Sequence, residues 1–173
     1  MKVREVIGII GICFIWVAFI MCITIIFQYY NYPIEFKEKS TILNMLQSGK
    51  INESYYLIKN VLIPDIEKNI KYIENIGWSA IITAILLIVG CVMLGIGGVD
   101  SELTEGLAVY LIGIITAITA ILLTIVFVIL SNSYSSIEEF KINVEKCVKA
   151  LESTLEKHNK TSIIYCMVLL SKN

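Results

Sequence analysis

The chain has 173 residues, 57% of them hydrophobic and only 17% charged, with a mean hydropathy of +0.78. A soluble domain of this size cannot hide that much apolar surface, so the composition excludes an ordinary water-soluble domain and points to a membrane protein. The formal net charge of −1 offers no general attraction to nucleic acid.

Three runs, 6–27, 78–99 and 107–130, contain no Asp, Glu, Lys or Arg. Each exceeds the roughly 20 residues a helix needs to cross about 30 Å of hydrocarbon. Helices are the expected form, because an isolated apolar run must satisfy its own backbone hydrogen bonds. The first run is expected to be a retained anchor and not a cleaved leader. Its apolar core is too long, no small-residue cleavage site follows, and Gln28, Tyr29, Tyr30 and Tyr32 form an interfacial collar. The expectation is therefore an all-α integral membrane protein in one unit, 1–173. Its spans lie at about 6–30, 78–99 and 107–130, with a loop over 31–77 and a helical tail over 131–173.

Three spans place the two termini on opposite sides. Of the 14 basic residues, all but Lys2 and Arg4 lie in the loop and tail, and the turn "DSELTEG" has none. This bias predicts a cell-membrane protein with loop and tail cytoplasmic and the amino terminus outside.

The loop reads as two or three short helices punctuated by Pro33 and Gly49. Pro64 followed by "DIEKNIKYIENIG" predicts a helix start, with proline in the first turn and acidic residues at the positive end of the dipole. Ile66, Ile70, Ile73 and Ile76 carry that helix straight into the second span. After the third span, Ser135 with Glu138, or Ser136 with Glu139, predicts a capping box in "SNSYSS". Ile137, Phe140, Val144, Cys147, Leu151 and Thr154 or Leu155 then form a heptad-like seam, suited to packing against the loop helices or a neighbouring subunit. "SIIYCMVLL" is too short to span.

The five cysteines are read as small apolar residues: Cys13, Cys22 and Cys91 lie in the spans, and Cys147 and Cys166 are isolated. His158 is the only histidine and has no neighbouring ligand, so no metal, cofactor or catalytic residue is expected.

The faces of the spans carry the chemistry. On the third, Gly113, Thr116, Ala117, Ala120 and Thr124 share an arc, Thr119 lies beside it, and Ile114, Ile118, Ile121 and Ile125 are opposite. On the second, Ala80, Ala84, Cys91, Gly95 and Gly98 share an arc flanked by Ser79, Thr83, Gly90 and Gly97. On the first, Gly8, Gly11, Ala18 and Cys22 align. Small residues let helix backbones approach within lipid, so these faces are helix-packing candidates. Thr83, Thr116, Thr119 and Thr124 are candidates to line a polar path, although a hydroxyl bonded to the carbonyl four residues earlier would need no such path. No span contains an ionisable residue, so the chain by itself has no intramembrane proton relay.

The order of anchor, loop, span pair and amphipathic tail resembles the MotA/TolQ/ExbB family of proton-channel and stator subunits. The likeness runs from about Pro64 to Glu156 and is carried by "IEKNIKYIENIGWSAIITAIL" with Thr83, by Thr116-Ala117, and by "IEEFKINVEKCVKALESTLEKH". Ile82 and Leu86 stand where that family often has glycine. The resemblance implies a ring-forming oligomer around a single-span partner that supplies an intramembrane aspartate, with Thr83 and Thr116 along the ion route. Two further readings stay open: a structural subunit of a larger membrane complex with no ion path of its own, and a self-assembled pore.

Overall fold

The charge-free runs form helices whose polar backbone is satisfied internally. The computed structural model describes residues 3–32, 34, 36, 38–97, 107–157 and 160–171, without the side chains of 107, 108, 155–157 and 160. Pro33, Gly98, the "DSELTEG" turn and His158 lie outside the described residues. The elements are α1 (Val3–Asn31), α2 (Lys39–Gln47), α3 (Ile51–Leu57), a π-helical turn (Ile58–Leu62), α4 (Ile63–Gly97), α5 (Leu107–Lys157) and α6 (Lys160–Ser171). There is no strand among the described residues, and three helices are long and apolar enough to cross a membrane. The protein is a multi-pass membrane protein.

The chain divides into two compact units. The membrane unit joins Met1–Pro33 to Asn75–Leu130, and the loop-and-tail unit joins Ile34–Glu74 to Ser131–Asn173. In the membrane unit, Gly8, Gly11, Ile15, Ala18, Cys22 and Ile25 of α1 are buried at helical spacing. Ile15, Ala18 and Cys22 form a core with Leu87 of α4 and Leu123 of α5, against which Ala84, Leu94, Ile112 and Ile115 pack.

In the loop-and-tail unit the tail seam is fully buried: Ile137, Phe140, Val144, Cys147, Leu151 and Thr154 all face inward. α2 packs on α3 and α6, contributing Ile42 and Leu46 to the interior. Gly49 ends α2 with φ 77°, the left-handed conformation that glycine adopts without a Cβ clash. The amide of Lys50 then reaches the Met45 carbonyl at 3.0 Å and that of Gly49 the Leu46 carbonyl at 3.2 Å, a Schellman closure. Tyr55 donates to Glu152 at 2.7 Å and accepts from Lys59 at 3.0 Å, and Lys141 pairs with Glu67 at 3.5 Å. The hydrogen bond to Tyr55 holds the Lys59 ammonium above the ordinary lysine range.

Several local expectations give way here. Pro64 and Asp65 stand in the first turn of α4 as expected, but no break precedes them, because the helix arriving from Ile51 runs into α4 through the π turn. In that turn the amide of Ile63 bonds the Ile58 carbonyl five residues back. The wider turn makes room just before a residue that has no N–H to donate. The serines of "SNSYSS" cap nothing, since α5 runs unbroken from Leu107 to Lys157. Burial on both sides, at Leu130 and Ile137, outweighs their weak helix propensity. On α4, Asn69 takes the buried position between Ile66 and Ile73, and Ile70 is half-buried. Cys147 and Cys166, isolated in sequence, are joined by a disulfide with a Cα separation of 4.7 Å.

Candidate functional site

The membrane unit gathers most of the residues the sequence singles out, and its tightest feature is the contact of α1 with α4. A Cβ on Gly11 would lie 2.8 Å from the Gly90 carbonyl oxygen, and one on Gly90 would lie 2.9 Å from the Gly11 oxygen. A Cβ on Gly97 would collide with the backbone of Gly8. The two backbones touch, and only glycine permits it.

Ala80 and Thr83 of α4 are fully buried and Ala84 is half-buried against the core. Cys91 and Gly95, further along the same arc, are exposed in the single chain. Ile85 and Val89 are also exposed. On α5 the chain buries Thr119, Leu123 and Val126. Gly113, Ala117, Ala120 and Thr124 are exposed and Thr116 is half-buried. A Cβ on Gly113 or Gly95 would meet nothing within 4 Å. The small arc of α5 is therefore unfilled within the chain, whereas that of α1 is occupied by Gly90 and Gly97.

The threonines share one hydrogen-bonding pattern. Thr83 donates to the Ser79 carbonyl at 2.7 Å, Thr116 to Ile112 at 2.8 Å, Thr119 to Ile115 at 2.7 Å and Thr124 to Ala120 at 2.9 Å. Each donor is spent on its own helix four residues back, which satisfies the hydroxyl without water. The four do not share a face: two are buried within the chain, one is half-buried and one is exposed.

Outside the membrane unit, two features escaped the sequence. One is the disulfide, whose cysteines lie 19 residues apart on different helices with no local signal. The other is the environment of Lys39. Its ammonium sits 5.4 Å from the centre of the Phe140 ring, and Phe36 stacks on that ring at 4.7 Å. Burial pushes Lys39 below the ordinary lysine range. Among the described residues no group of three or more His, Cys, Asp or Glu could hold a metal. No family model, curated protein or solved structure matches the chain.

Proposed function

We propose that this protein is a helix-docking subunit of a larger membrane assembly, with no ion path of its own. The exposed small face of α5 supports the reading. Gly113, Ala117, Ala120 and Thr124 lie outward although the opposite demands of lipid would favour bulky aliphatics there. Lipid gains nothing from such a surface, whereas a neighbouring subunit's helix gains close backbone approach. The hydroxyls, bonded to their own helix, contribute shape more than polarity. In this reading the cell membrane is the site of action, the loop and tail are cytoplasmic, and a second copy of the chain is the first neighbour.

The test compares two double variants by mass in native lipid. Ala117→Leu with Ala120→Leu fills the face and is expected to shift the assembly toward single chains, since overpacking a close contact costs about 1–3 kcal/mol. Thr116→Val with Thr124→Val preserves shape and is expected to leave the assembled mass unchanged. Assembly that survives the leucines removes the docking role.

A stator-like ring is the second reading, favoured by α4 and α5, each of which continues unbroken from its span into the loop or tail as the resembled family's helices do. It requires a co-purifying single-span chain with an intramembrane aspartate, and ion flux that Thr116→Val with Thr124→Val would reduce while assembly stays normal.

A further inference from the structure

The loop-and-tail unit contains a cavity of about 540 Å³ formed by the segment after α1, the start of α2 and the part of α5 past Leu130. Its inner surface is apolar, with Ile137 and Phe140 buried and Phe36 half-buried. Its outer surface is polar, with Asn132 and Ser136 exposed and Lys39 half-buried. The described lining residues include no carboxylate. Burial leaves the Lys39 ammonium partly desolvated, 5.4 Å from the centre of the Phe140 ring. An aromatic face attracts a cation but does not neutralise it.

The place of the cavity along the chain supplies the occupant's class. Asn132 and Ser133 belong to the first helical turn after the apolar stretch that ends at Leu130, where the polar run "SNSYSS" begins. A helix leaving the hydrocarbon meets the headgroup layer at that turn. A site with one cation, amide and hydroxyl donors, and an apolar wall suits a molecule that is anionic at one end and greasy at the other. We infer that the cavity holds the phosphate of an anionic phospholipid headgroup. Lys39 supplies the charge, Asn132 and Ser136 the hydrogen bonds, and Phe36 and Ile137 a wall for the glycerol backbone. This site is separate from the docking face on α5 and does not depend on it.

The experiment uses the full chain in mild detergent and measures retention of fluorescent phosphatidylglycerol against phosphatidylcholine. The wild type is expected to prefer the anionic lipid. Lys39→Ala should weaken that preference about fivefold or more, as one juxtamembrane lysine contributes about 1 kcal/mol. Lys39→Arg should retain the preference, and the exposed Lys71→Ala should match the wild type. Ser136→Trp, which fills the cavity and leaves the charge in place, should lose it. Equal retention by Lys39→Ala and Lys71→Ala would overturn the site. Displacement of the lipid by soluble glycerol phosphate at equal concentration would overturn the lipid as its ligand.

Discussion

At Gly11 and Gly90 the hydrogen in place of a side chain lets two backbones meet, and the consequence is measurable. Gly11→Ala puts a methyl 2.8 Å from the Gly90 carbonyl oxygen, with backbone and not a flexible side chain in the way. The helices must separate, and the expected loss is about 1–3 kcal/mol, read as a lower melting temperature in detergent. Gly77→Ala is the control of opposite sign: it lies inside α4 with nothing within 4 Å, so it should stabilise by about 0.5–1 kcal/mol. If both substitutions shift the melting temperature alike, the α1–α4 contact is not where stability resides. The sequence exposes the ingredients of this contact but not its partners. Small residues on α4 cover a wide arc, and nothing local distinguishes Gly90 and Gly97, which meet α1, from Gly95, where a Cβ would meet nothing within 4 Å. The threonine bonds were easier to foresee, because a hydroxyl in a membrane helix always has the carbonyl four residues back within reach.

At the scale of elements, long-range burial overrules local punctuation. The seam from Ile137 to Thr154 was legible because its spacing matches a helix face and its residues are apolar. Pro64 marks the first turn of α4 without a break before it, and "SNSYSS" misled because such serines are a boundary signal only when nothing beyond them must stay helical. Here a π turn accommodates the proline, and buried residues on either side hold the serines in register. The Cys147–Cys166 link was invisible for a different reason, since pairing between α5 and α6 depends on how the tail folds back. The bond closes a loop with a sequence separation of 19, and such a closure restricts the unfolded chain by about 3 kcal/mol. Cys147→Ser, or reductant added to the oxidised protein, should therefore lower the melting temperature of the loop-and-tail unit and speed amide exchange in α6. The membrane unit's exchange should stay as it was. Unchanged protection of α6 would mean that Cys166, Leu169 and Leu170 hold it by packing alone.

For the whole molecule, two observations point to opposite sides of the membrane. Twelve of the 14 basic residues lie in the loop and tail, and the loop is short enough for the positive-inside bias to act on it. That bias is the argument for the proposed cytoplasmic side. A disulfide, in contrast, usually marks an oxidising compartment. The lysines act during insertion, before any tail helix has docked, so they should set the orientation. On the proposed cytoplasmic side the disulfide would persist through burial: both side chains are fully buried, and thiol exchange requires a sulfur that an attacking thiolate can reach. Lys71→Cys places a reporter thiol on an exposed position of the loop-and-tail unit. In intact cells a membrane-impermeant maleimide should leave it unlabelled above the wild-type background, and permeabilisation should expose it. Labelling without permeabilisation would put the loop and tail outside, reverse the lysine argument, and give the Cys147–Cys166 pair its oxidising compartment directly.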